Sequence, residues 1–112
     1  MRRLVVLGLA LLAVLATAGW ADAARVHKVT IGSNFFAPGK KTVKVGEKVR
    51  FTWEQGGFEV HDVNVRRGPA RFSSQLQASG TWTTKRLRKP GRYRLYCSQH
   101  EEMKMTLIVK RR

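Results

Sequence analysis

Residues 41–53 read KTVKVGEKVRFTW, and apolar and polar side chains alternate along both halves of this stretch. The apolar members are Val43, Val45, Val49, Phe51 and Trp53. A period of two is typical of a β-strand that buries one face, and a glycine between two such runs indicates a turn. The stretch therefore predicts two strands separated by a turn at Gly46-Glu47.

The same alternation continues to the end of the chain. It is present in residues 61–65 (HDVNV), 91–97 (GRYRLYC) and 103–109 (MKMTLIV), and the turn signals between the runs include Pro38-Gly39, Gly68-Pro69 and Pro90-Gly91. After residue 24, no segment longer than two turns has a helical period. We therefore predict one all-β domain over residues 24–112, a two-sheet antiparallel Greek-key sandwich with about seven to eight short strands.

The first 23 residues have the pattern of a signal peptide. A basic MRR start is followed by an apolar stretch and by the small residues around Ala21, Asp22 and Ala23. The apolar stretch is shorter than the ~20 residues of a typical spanning helix, which favours cleavage after Ala23 over a retained membrane anchor. The sequence predicts an exported protein, located in the periplasm, outside the cell or in the cell envelope.

The chain is strongly basic, with 22 Lys and Arg against 7 Asp and Glu. Without residues 1–23 these numbers become 20 and 6, which leaves a net charge of +14. Export and the lack of a nucleic-acid-binding motif argue against specific nucleic-acid recognition. We expect the positive exterior to attract anionic surfaces or acidic partners, including peripheral contact with a membrane or a cell-wall polymer.

Cys97 is the single cysteine, so no disulfide within the chain can protect it in an oxidising compartment. His100 and Met103 follow it at intervals of three, and His61 begins a predicted strand in the middle of the chain. Strand ends can gather at one pole of a sandwich. A thiolate, two imidazoles and a thioether form the ligand set of a blue-copper site, in which Met is a weak axial ligand.

These motifs together resemble those of a small cupredoxin of the plastocyanin/amicyanin type. The similar segments run from VHKVTIGSNFFAPGKKTVKVGEKVRFTW through HDV to PGRYRLYCSQHEEMKMTLIV. The resemblance implies one copper ion, Cu(II) or Cu(I), and the ligands His61, Cys97, His100 and Met103. Met105 remains an alternative axial ligand, although alignment on the final strand favours Met103.

The sequence departs from the family pattern in three ways. Asp62 replaces an asparagine and is expected to accept hydrogen bonds from the Cys97–Ser98 segment, and its negative charge should lower the potential. Glu101-Glu102 replace the usual loop residues and suggest a redox partner with a cationic docking group. Met105 replaces a small residue, so the packing below the copper is expected to differ.

The sequence therefore predicts a monomeric one-electron carrier that is not an enzyme. The alternative is a copper-binding protein that buffers or delivers copper in the envelope. A cysteine nucleophile with His100 as its base is disfavoured, because the short loop supplies no third group to orient the base. His27, between Val26 and Lys28 near the start of the domain, is expected to be a solvated residue.

Overall fold

Eight β-strands form two sheets of four strands each. A computed structural model describes residues 25–54 and 59–112, and the predicted signal peptide, residues 1–23, lies outside them. The strands are β1 (Val26–Gly32), β2 (Phe35–Ala37), β3 (Lys40–Lys44), β4 (Lys48–Trp53), β5 (Asn64–Arg67), β6 (Gly80–Thr83), β7 (Gly91–Cys97) and β8 (His100–Lys110). Among the described residues, no helix is long and apolar enough to cross a membrane.

We call the two layers sheet A and sheet B. Sheet A has the order β2-β1-β4-β6, and sheet B has the order β3-β8-β7-β5. The predicted all-β sandwich is confirmed. Most neighbouring strands are antiparallel, but β1 pairs with β4 and β3 pairs with β8 in parallel, which alternation along single strands does not reveal. The described strands of both sheets lie within residues 26–110.

The predicted turn at Gly46-Glu47 carries the chain from one sheet to the other. It follows β3 in sheet B and precedes β4 in sheet A. Gly46 has a φ of 93°, a left-handed conformation that favours glycine. The backbone N–H of Glu47 donates to the carbonyl of Lys44 (3.0 Å), which closes the turn. The two alternating runs therefore face each other across the core rather than pairing as a hairpin.

The alternating apolar positions meet between the sheets and form one core. Its buried hydrophobic members are Val29, Ile31, Phe36, Val43, Val49, Phe51, Trp53, Val63, Val65, Leu87, Tyr93, Leu95, Cys97, Met103, Met105, Leu107 and Val109. Phe51 lies at its centre, with its ring 6.3 Å from that of Phe36 and 5.9 Å from that of Trp82. Cys97 is thus a core residue, which shields its sulfur from solvent.

Glu47 is a buried acid at the end of the sandwich where the Gly46 turn lies. Its carboxylate accepts a hydrogen bond from the backbone N–H of Lys44 (2.6 Å) and lies 2.9 Å from Nε2 of His27. Burial raises the pKa of Glu47, but these hydrogen bonds and the Coulombic contributions of His27 and Arg112 outweigh that effect and lower the pKa overall. The expectation that His27 is solvated is wrong, because β1 places it beside Glu47.

Candidate metal centre

The turn between β7 and β8 brings Cys97 and His100 together. These two residues are cross-strand partners, and only Ser98 and Gln99 lie between them. We expected His100 and Met103 in a tight loop between the last two strands, but β8 already begins at His100. The pairing register shifts after the Cys97–His100 pair, since the next pair joins Tyr96 with Lys104 and residues 101–103 lie between the two pairs. Residues 101–103 are therefore a bulge, which accommodates the local spacing of the candidate ligands.

His61 is fixed by contacts with two other parts of the chain. Its backbone N–H and carbonyl form an antiparallel bridge with Gln77 (3.0 and 3.1 Å). The indole N–H of Trp53 donates to the same carbonyl (3.1 Å). His61 was predicted to begin a strand, but β5 starts only at Asn64, so an isolated bridge holds His61 instead. The contributions of Trp53 and Gln77 were not foreseen, because both contacts use the backbone of His61.

The three side chains converge at this pole. The sulfur of Cys97 lies 3.8 Å from Nδ1 of His61 and 3.7 Å from Nδ1 of His100. The two Nδ1 atoms are 3.1 Å apart. His61 and Cys97 are 4% and 1% exposed, whereas His100 is half-buried. Three predicted ligands from two distant segments therefore present their donor atoms to one point, and these atoms all lie within 4.8 Å of one another.

The electrostatics at His61 favour a metal ligand. Burial lowers its pKa, and the neighbouring His100 lowers it further, whereas Glu59 and Asp62 act in the opposite direction. The net lowering keeps the imidazole neutral, and neutral imidazole is the form that binds metal. One sulfur and two imidazole nitrogens suit copper, while the absence of a carboxylate among the three converging donors of the described chain disfavours magnesium or calcium.

Both candidate axial methionines are buried on β8. Met103 is 0% exposed and Met105 is 3% exposed, so burial does not distinguish them. Their registers do. Met105 lies opposite Leu95, two residues before Cys97 on β7, whereas Met103 lies in the bulge beside the Cys97–His100 pair. The register therefore favours Met103 as the methionine closer to the converging donors.

Asp62 joins the two ligand-bearing segments. Its carboxylate accepts hydrogen bonds from the backbone N–H of Ser98 (2.7 Å) and from the Ser98 hydroxyl (2.6 Å). Burial raises the pKa of Asp62, but the hydrogen bonds from Ser98 outweigh that effect and lower it overall. This arrangement confirms the expectation that Asp62 accepts hydrogen bonds from the segment that follows Cys97. These hydrogen bonds connect Asp62, the residue after His61, to Ser98, the residue after Cys97.

Acidic residues concentrate at the same pole. Glu59 lies 3.6 Å from Nε2 of His61 and accepts a hydrogen bond from the hydroxyl of Ser33 (3.2 Å). Glu101 and Glu102 are exposed in the bulge, beside a small cleft that Arg66 and Lys104 also line. Of the acidic residues in the described ranges, Glu47 alone lies at the other end. The sequence indicated only the Glu101-Glu102 pair, because Glu59 joins them through folding.

A two-sheet sandwich with one thiol and two imidazoles at its pole defines a protein of the small cupredoxin class. The family described as "Cupredoxin-like domain" matches residues 4–109, and the chain belongs to it. Comparison with the curated proteins finds no match.

Solved structures of copper proteins are similar to this chain. A Cu-containing nitrite reductase from Thermus scotoductus SA-01 is 28% identical over 75% of this chain, with a TM-score of 0.67. The chain spans only 22% of that enzyme. An oxidised variant of amicyanin is 22% identical, with 80% of this chain and 85% of that chain covered and a TM-score of 0.63. The reduced Cu(I) form of another amicyanin variant is 21% identical over 78% and 82% of the two chains, with the same TM-score. The amicyanin similarities show the same fold at nearly the same chain length.

Proposed function

We propose that the protein is a one-electron carrier that holds a single copper ion through His61, Cys97 and His100, with Met103 as the axial ligand. The observation that carries this proposal is the convergence of the two Nδ1 atoms and the Cys97 sulfur at one pole of a cupredoxin fold. When bound in such a site, copper can cycle between Cu(II) and Cu(I) with little change in geometry.

The surrounding residues are suited to holding the ligands still. The Asp62–Ser98 hydrogen bonds and the His61–Gln77 bridge restrict both ligand-bearing segments, and a ligand set that moves little is expected to favour fast electron exchange. His100 is the only one of the three polar ligands that is not fully buried. We therefore assign the edge of its imidazole as the port through which electrons enter and leave.

The partner is proposed to be a redox protein with a cationic docking group. Glu59 lies beside His61, and Glu101 and Glu102 directly follow His100 in a cleft that Arg66 and Lys104 also line, although the protein as a whole is strongly positive. Complementary charges guide docking and fix its orientation. We place this transfer on the outer side of the cytoplasmic membrane, as the signal-peptide pattern of residues 1–23 predicts, and expect the protein to act as a monomer.

The direct test is to add Cu(II) to purified residues 24–112 and to record the visible absorption spectrum. An intense thiolate-to-copper band is expected, and Cys97→Ser should abolish it. A folded, reduced protein that binds Cu(II) without this band would overturn the proposal. The matched pair Met103→Leu and Met105→Leu tests the axial ligand, since only the first should raise the reduction potential while preserving the colour.

Copper buffering or delivery is the competing function, and the same protein distinguishes it. A carrier should retain copper in both oxidation states and show a reversible one-electron couple by voltammetry. A delivery protein should release Cu(I) rapidly to a chelator. Fast release together with an irreversible couple would assign the site to copper delivery instead.

A further inference from the structure

Eight of the 20 Lys and Arg residues in the described ranges lie on one face of the sandwich. Side chains alternate along a strand, so every second residue of β3, β7 and β8 points away from the core. In β5 a register shift between Val65 and Arg67 interrupts the alternation, and the adjacent Arg66 and Arg67 are both exposed. Among the residues that the structure describes, eight exposed cations occupy the outer face of sheet B: Lys40, Lys44, Arg66, Arg67, Arg92, Arg94, Lys104 and Lys110. On the described outer face of sheet A the cations are Lys28, Lys48 and Arg50, and their neighbours include threonines and the exposed Phe35.

Several of these cations are direct neighbours. Lys44 lies opposite Lys110, and Arg67 lies opposite Arg94. Like charges in such cross-strand positions are destabilising. The acids of the described part of this face, Glu101 and Glu102, lie at its metal-centre end and leave the rest of the face without neutralisation. A surface on which positive charges face each other without nearby acidic side chains to neutralise them is suited to bind an external anion.

We propose that the outer face of sheet B binds the surface of an anionic phospholipid bilayer. The face is four strands wide, about 15 Å across at the usual strand spacing, and its cations can meet a flat surface together. A polymer chain would be better held in a groove. The described groove of about 850 Å³ lies elsewhere, beside Phe72 and Trp82. It has cations of its own, Lys48, Arg71, Lys85, Arg86, Arg88 and Lys89, and none of the eight on sheet B lines it.

The face is built for adsorption rather than insertion. Ile108 is its one outward aliphatic side chain on the described strands, and it is only partly exposed between Thr42 and Arg92. Tyr96 is covered by Arg66, whose guanidinium carbon lies 4.1 Å from the ring centroid. Without an apolar wedge, the attraction is electrostatic and should weaken steeply with added salt.

Binding through sheet B leaves the metal centre accessible. The Cys97–His100 turn lies at the end of the strands, so it points along the bilayer rather than into it. Glu101 and Glu102 at this end are repelled by anionic lipid, which tilts the pole away from the surface. This inference goes beyond the proposed function and does not depend on copper.

The test compares two variants with the same loss of charge in residues 24–112. The sheet B variant combines Lys40→Gln, Arg92→Gln and Arg94→Gln. The sheet A control combines Lys28→Gln, Lys48→Gln and Arg50→Gln. Each is mixed with phosphatidylcholine vesicles with and without phosphatidylglycerol at about 0.1 M salt, and the bound fraction is measured by sedimentation. Circular dichroism checks that both variants are folded.

The unmodified protein should bind only the vesicles that contain phosphatidylglycerol. The sheet B variant should bind them about 100-fold more weakly, since each Lys or Arg near an anionic surface contributes roughly a factor of five. The sheet A control should remain within a few-fold of the unmodified protein. Equal weakening of the two variants would show attraction by net charge alone and overturn the proposal. Stronger binding to soluble polyglutamate than to the vesicles would overturn the assignment to a bilayer.

Discussion

Replacing Asp62 with alanine should destabilise the fold, because this carboxylate joins the two segments that meet at the metal centre. Asp62 is only 7% exposed and accepts two short hydrogen bonds from Ser98. Hydrogen bonds to a charged group contribute roughly 1.5–3 kcal/mol each, and an orphaned backbone N–H adds a desolvation penalty. We expect Asp62→Ala to reduce the free energy of unfolding by about 3 kcal/mol.

The conservative change to asparagine separates the charge from the shape. In Asp62→Asn the side-chain oxygen can still accept from the backbone N–H of Ser98, and the amide can donate to the Ser98 hydroxyl. Only the ionic contribution is lost, so the expected decrease is about 1 kcal/mol. For a domain of this size, 1 kcal/mol corresponds to about 4–8 °C in melting temperature. Asp62→Asn should therefore melt about 5 °C lower than the unmodified protein, and Asp62→Ala about 18 °C lower.

The assay is guanidinium and thermal unfolding of the metal-free protein, which removes any contribution from copper binding. Glu59→Gln is the matched control, because it removes a negative charge from the same pole but on an exposed side chain, and it should change stability by less than about 0.5 kcal/mol. Adding Ser98→Ala to Asp62→Ala should have little further effect, because their contact is already lost. If Asp62→Ala is as mild as the control, the carboxylate does not hold the two segments together.

Three further predictions concern regions away from the metal centre. Glu47 has a lowered pKa in the folded state, so its contribution to stability is present above its unfolded pKa and is lost as the pH falls. The variant Glu47→Gln leaves His27 in place but removes this titrating group. It should therefore make stability depend less on pH below about pH 4.5, as measured by acid unfolding followed by circular dichroism. Gly91 has a φ of 143°, and a Cβ there would lie 2.9 Å from Cγ of Pro69, so Gly91→Ala should lower the free energy of unfolding by about 1–3 kcal/mol in denaturant titrations. Phe51→Ala removes a ring that is 0% exposed and should cost about 3–5 kcal/mol in the same assay, and a loss below about 1 kcal/mol would contradict its central place in the core.

The period-two pattern was sufficient to predict the fold class, because burial of one face is a local property of each strand. The outward and inward positions of β4, β7 and β8 follow the alternation seen in the sequence. The parallel pairing of β1 with β4 and of β3 with β8 was not predictable in this way, since it depends on which strands become neighbours. The local sequence pattern determines which side of a strand faces the core, whereas the topology determines which strand it pairs with.

The candidate site likewise combines features that are local in the sequence with features that depend on the fold. Cys97, His100 and Met103 are close in sequence, so their spacing alone indicated a shared role. His61 was grouped with them by its expected position at a strand end and by resemblance, and the fold brings its Nδ1 within 3.8 Å of the Cys97 sulfur. Glu59 escaped notice because it gains its role only when its segment packs beside Ser33. Contacts made by one short turn can be read from spacing, but contacts between distant segments require the fold.

The distribution of charge along the molecule bears on how a strongly positive protein could dock the cationic redox partner that we propose. Electrostatic interactions between exposed groups are largely screened beyond about 10 Å at 0.1 M salt. A partner that approaches the His100 edge would meet Glu59, Glu101 and Glu102 together with Arg66 and Lys104 of the same small cleft, while the other six cations of sheet B lie along the side of the sandwich. Each surface can then attract an oppositely charged partner at the same time. A uniform distribution of the same net charge would repel the cationic partner at every face, so it is the position of the few acids that makes docking at the metal centre electrostatically favourable.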